Sequence, residues 1–175
     1  GSVESLALAI ADLTSGKAVN GIAVTTGPGS FTSLRVGITT AKMLAMAWGI
    51  PVVPIDSLEA IAHQGRSSLA AKGNGDIVIV PVMNAFRKQL FSASFSLPNL
   101  PQEVASPEGV DETRIPDAAS SACELQRLGD SRVVDIPQWL DDPTGLPIDS
   151  RQRQVYVTGP GLSVVKNTLP ETIRI

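Results

Sequence analysis

Apolar residues fall at Val3, Leu6, Ile10 and Leu13, with Ala7, Leu8 and Ala9 widening the stripe. That spacing predicts a helix over 3–13, which Thr14-Ser15-Gly16 ends. Residues 21–26 read as a buried strand running into Gly27-Pro28-Gly29, and a helix follows at once over 30–48 with Gly49 as its stop. This second helix is apolar on almost every side. Leu34, Ile38, Ala41, Ala45 and Trp48 form one row, and Val36, Met43 and Ala47 form another. Arg35 and Lys42 share a narrow stripe with Thr32 and Thr39. One row can cover the parent sheet. The other needs a cover from elsewhere, either the helix at 3–13 or a second protein, since a contiguous exposed apolar patch usually marks an interaction site. Gly37, Ala41, Ala45 and Ala47 are small enough to let another helix come close.

Residues 50–55 predict a short strand broken by Pro51 and Pro54. Asp56 and Glu59 have the spacing of a capping box before a helix to about His63, and 65–75 reads as a loop. The first part is thus helix, strand, helix, strand, helix, an α/β pattern of parallel strands joined by crossovers. Residues 76–83 form the near-continuous apolar run of a central strand. Residues 89–97 alternate as a half-solvated strand does, with Arg87-Lys88 near the turn before them. A third strand is expected at 102–105, irregular chain over 98–116, a helix over 117–128 and a surface excursion over 135–149. A strand at 155–158, a turn at Gly159-Pro160-Gly161 and a helix at 162–169 complete the second part. It spells β-β-β-α-β-α. If each part copies one βββαβαβα unit, the first lacks its three opening strands. The expected domains are 1–75 and 76–175.

Composition narrows the function classes. The chain has 175 residues, of which 43% are hydrophobic and only 4% aromatic, so its core is aliphatic and Ala-rich. Fourteen basic and seventeen acidic residues give a net charge of -3, without the electrostatic footprint of an autonomous nucleic-acid binder. Contact with RNA is therefore expected to need a partner. Cys123 is the only cysteine, which excludes an internal disulfide and agrees with a reducing, cytoplasmic setting. No apolar run reaches membrane-spanning length, and no membrane association is expected.

The chemistry-bearing signals are few. Gly27-Pro28-Gly29-Ser30 precedes a helix, where backbone N–H groups attract anions. No Walker lysine follows, and the same glycines suit a tight turn that needs positive φ. Arg35 either assists an anion or lines a surface stripe. His63 is the lone histidine, and a metal would require further ligands at set spacing. Neither a metal site nor a catalytic residue is expected.

Gly27, Pro28, Gly29, Ser30, Phe31, Thr32, Leu34 and Arg35, then an Ala-rich helix and Ser57-Leu58-Glu59-Ala60, resemble the TsaB (YeaZ) family. Ser33 stands where that family usually has Gly. The likeness is strong from about residue 3 to 62. Beyond it, Asn84-Ala85-Phe86-Arg87 occupies the place of an Asp-Ala-Arg run, with Asn84 for the acid and Phe86 read as an insertion. Gly159-Pro160-Gly161 resembles a late Gly-x-Gly turn.

The resemblance implies a two-subdomain actin-like fold, related to RNase H and to sugar kinases (the ASKHA group), here lacking its opening three strands. It implies a non-catalytic scaffold that positions a TsaD-like catalytic subunit for threonylcarbamoyl modification of tRNA adenosine. A TsaE-like ATPase would complete the assembly, with tRNA met only indirectly. The partner interface would use the first two helices, through Val3, Leu6 and Ile10 on one and Leu34, Ile38, Ala41 and Ala45 on the other. The same surface would serve a homodimer. Gly27, Gly29, Ser30, Arg35, Gly159 and Gly161 are the candidates for an anion or nucleotide. No cofactor is otherwise expected, with ATP or ADP at the subunit interface as the alternative. The alternative class is an ATP-dependent enzyme of the sugar-kinase type. The H-x-x-x-H pair of the catalytic relatives is missing, which argues against a peptidase.

Overall fold

Helix α1 (Ser2–Thr14) opens the chain, strand β1 (Ile22–Gly27) follows, and helix α2 (Phe31–Trp48) carries the chain over to strand β2 (Val52–Asp56). The computed structural model describes residues 2–69, 77–97, 125–145, 154–170 and 173–175, and its contacts form two compact units, Gly1–Ser57 and Leu58–Ile175.

In the first unit β1 and β2 pair in parallel, from Ile22 opposite Val52 to Thr25 opposite Ile55, so α2 is the crossover that the pattern required. Along β1, half-buried Ile22 and Val24 alternate with exposed Ala23 and Thr25, as in a strand covered on one face. The ends of α2 are set by side-chain and backbone chemistry. Ser30 caps its start, accepting from the Ser33 N–H at 3.5 Å, and Gly49 at φ 67° ends it, donating to the Ala45 carbonyl.

The second unit starts with helix α3 (Ser57–Leu69), most of which it contains. Strand β3 (Ile77–Phe86) is its centre. It pairs antiparallel with β4 (Gln89–Ser92) and β5 (Phe95–Leu97), and parallel with β8 (Gln154–Thr158). Strand β6 (Gln126–Arg127) extends β5, β7 (Arg132–Asp135) extends β4, and β9 (Ile173–Arg174) extends β8. Helices α4 (Ile136–Asp141) and α5 (Leu162–Val165) complete the order, α5 running into a 3-10 turn at Lys166–Thr168.

Both faces of this sheet are covered. Ile77, Ile79, Phe95 and Tyr156 pack with Leu58 and Ala62 of α3. Val78, Val80, Leu90 and Val157 pack with Trp139 of α4 and Val165 of α5. Burial on both sides is why β3 reads as an unbroken apolar run.

Several expectations need correction. Residues 89–97 are not half solvated. The chain breaks between β4 and β5, and Leu90 packs on one face while Ala93, Phe95 and Leu97 pack on the other. Residues 65–69 are helical rather than loop, with Gly65 letting α3 approach the Thr158 methyl, 3.1 Å from where a Cβ would lie. The end of the helix expected over 117–128 is instead strand β6, because Gln126 and Arg127 pair with Ser96 and Phe95. The surface excursion expected over 135–149 includes α4, whose Trp139 is fully buried and donates its indole N–H to the Ser92 hydroxyl at 3.1 Å. The strand expected at 102–105, the start of the helix expected at 117 and Cys123 lie outside the described residues.

Candidate interaction surface

Helix α2 decides what the first unit can offer, because its rows of side chains face different surroundings. The row Leu34, Ile38, Ala41 and Ala45 turns inward on the unit, with Ala41 and Ala45 only 5% and 8% exposed. These two alanines, expected at a partner interface, belong to the unit's own packing. Trp48, at the end of that row, stays partly open.

A groove of about 330 Å³ runs beside this row. Leu6 and Ile10 of α1, Ile22 and Val24 of β1, and Leu44 and Trp48 of α2 line it. Leu13 and Thr14 of α1 line its end as well, although Leu13 is largely exposed, and Leu8 of the same helix is exposed outside it. Of Val3 only the backbone is described.

The second row behaves differently. Val36 is half-buried, Ala47 is exposed, Met43 is 67% exposed and Met46, one turn beyond it, is 86% exposed. Helix α1 therefore does not cover this face. Phe31 at the start of α2 is exposed too, with the Arg35 guanidinium 5.2 Å from its ring centre. Met46 and Phe31 sit beside Arg35 and Lys42 on the helical net, and that polar stripe masks them in the sequence pattern. Covering a large apolar side chain of this kind is worth about 1.5–3 kcal/mol. The outer face of α2 is therefore an apolar surface that the unit itself leaves in water.

The two glycine turns have local explanations. Gly27 takes φ 122°, a value that favours glycine, and Leu34 tucks beneath it, 3.4 Å from where its Cβ would lie. Ser30 is occupied as the α2 cap, and its hydroxyl also accepts from Ser33 Oγ at 3.2 Å. Arg35 lies over Phe31. In the second unit Gly159 takes φ 107°, and a Cβ there would stand 2.6 Å from the Val82 carbonyl oxygen. Gly161 donates its N–H to that oxygen at 2.9 Å. Close approach to the β3 backbone accounts for both glycines without a ligand.

His63 is exposed on α3. Among the described residues, no three His, Cys, Asp or Glu side chains gather as metal ligands would. No helix among them is long and apolar enough to cross a membrane.

A family model described as "TsaD: tRNA N6-adenosine threonylcarbamoyltransferase" matches residues 4–113. The tRNA threonylcarbamoyladenosine biosynthesis protein TsaB of Bacillus subtilis (strain 168) is 37% identical over 78 residues, covering 45% of this chain and 31% of that protein. The chain thus spans about a third of that curated relative's length. Among solved structures, a Pseudomonas aeruginosa protein titled as similar to the peptidase YEAZ superposes with a TM-score of 0.63 at 18% identity, covering 98% of this chain and 67% of its own. YeaZ from Pseudomonas aeruginosa gives 0.61 at 19% identity, covering 97% and 65%. At such identities the structural likeness establishes the fold alone. With well over half of its length under one family model, the chain belongs to the TsaD family and stands with its TsaB/YeaZ members.

Proposed function

We propose that this chain is a non-catalytic scaffold that docks a TsaD-like catalytic subunit, in the cytoplasmic assembly that makes threonylcarbamoyladenosine on tRNA. The observation that carries the reading is the outer face of α2, where Met43 and Met46 stand in water on an 18-residue helix. The TsaB name of the Bacillus relative supports the pathway. Flexible methionines suit a surface that moulds to another helix. An actin-like ancestry for the α/β layers belongs to the same reading, as do a TsaE-like ATPase as third member and a homodimer through the same face when the catalytic subunit is absent.

The test is co-elution of the chain with the catalytic subunit. Met43→Asp combined with Met46→Lys should abolish co-elution and leave the circular dichroism spectrum and melting temperature unchanged. Co-elution that survives the double substitution removes this face from the interface.

A further inference from the structure

The tip of the β3–β4 hairpin has a backbone that its sequence does not favour. Phe86 pairs with Gln89, which leaves Arg87 and Lys88 as a two-residue turn. Phe86, Arg87 and Lys88 all take positive φ, at 64°, 49° and 64°. Two-residue turns with positive φ at both central positions favour Asn-Gly or Asp-Gly, and each other L residue placed there is strained. None of these three is Gly, Asn or Asp. Two hydrogen bonds tie the tip to its surroundings. Asn84 Oδ1 accepts from the Phe86 N–H at 2.8 Å, and the Ile136 N–H donates to the Lys88 carbonyl at 3.0 Å.

What the strained backbone displays is specific. The Phe86 ring is 70% exposed, and Arg87 and Lys88 are both exposed beside it. The register also places Asp135 opposite Gln89 at the base of the tip, so the local charge is a small positive excess. Burial explains none of the three side chains. Strain kept at an exposed site points to what the side chains meet there.

We infer that the Phe86-Arg87-Lys88 tip contacts RNA, the cations taking phosphates and the ring stacking on an unpaired base. Paired cations next to an exposed aromatic suit RNA, which offers phosphates to the cations and the face of an unstacked base to the ring. The choice of tRNA as the RNA rests on the function proposed above. With a net charge of -3, the chain offers a point contact to tRNA bound by the assembly rather than a full footprint.

The experiment uses an unmodified tRNA transcript and the full chain together with the catalytic subunit, with affinity measured by filter binding from about 50 to 200 mM salt. Arg87→Asn with Lys88→Gly gives the turn the residues its backbone favours. That variant should melt at the same temperature as the parent or higher. Its tRNA affinity should fall about tenfold and its salt slope by about 2, roughly one per lost phosphate contact. Ultraviolet crosslinking of the parent chain to tRNA should map to the peptide holding Phe86, and Phe86→Ala should abolish it. Equal affinity and slope in parent and variant overturn the inference, as does an absence of saturable tRNA binding by the parent. Loss of co-elution with the catalytic subunit while tRNA binding persists assigns the tip to a protein contact, and also overturns it. Co-elution of parent and variant is scored separately, so a failure of docking is told apart from a loss of the tRNA contact.

Discussion

Single residues separate what holds this protein together from what it presents. Ala41 and Met43 are two positions apart on α2, yet one is closed off and the other is open. Ala41→Glu would bury a carboxylate and is expected to cost about 3 kcal/mol or more, read as a lower urea midpoint for the first unit. Met43→Asp on the exposed face should change stability by no more than about 0.5 kcal/mol in the same experiment. In the second unit, Gly159→Ala would force a methyl group against the Val82 carbonyl at a φ of 107°. A loss of about 3 kcal/mol is expected, and a neutral result would show that the turn does not press on β3. The rows of α2 were legible in the sequence because their spacing alone sets them apart. Which residues of those rows would be closed was not, because Ala41 and Ala45 are small enough for either an intermolecular contact or close packing on their own unit.

At the scale of elements, caps and periodicity set most of the boundaries. Gly49 ends α2 in the left-handed region, with open space where a Cβ would be. Gly49→Ala is therefore expected to cost about 1 kcal/mol in thermal melts and to leave co-elution with the catalytic subunit unchanged. The helices and strands of the first unit could be read from local pattern, since α1, β1, α2 and β2 are each complete in a short run of sequence. The second unit was less legible where pairing is distant. Gln126 and Arg127 form a strand only because Phe95 and Ser96 supply the partner, and no local signal marks it. Helix α4 was hidden by the prolines around it, although Pro137 sits in its first turn, a position proline tolerates well. The buried Trp139 was the clue, since a large aromatic in a polar stretch usually anchors something.

For the whole molecule, the parallel pairing of β1 with β2 and the central place of β3 follow from the alternation of strand and helix patterns. The sequence division after residue 75 groups α3 with the first part, whereas Leu58 and Ala62 are buried with residues of the second unit. That packing involves strands far along the chain and leaves no mark near 57. Amide hydrogen exchange should show β3 as the slowest element, because both of its faces are buried, and α1 as the fastest, because Leu8 and Leu13 remain in water. The proposed docking requires the outer face of α2 to be open in the free chain and covered in the assembly. Peroxide footprinting read by mass spectrometry tests this directly, with half-buried Met83 as the internal reference. Met43 and Met46 should oxidise well ahead of Met83 in the free chain, and adding the catalytic subunit should slow both by about tenfold or more while Met83 keeps its rate. Equal oxidation of Met43 and Met46 with and without that subunit would contradict the account.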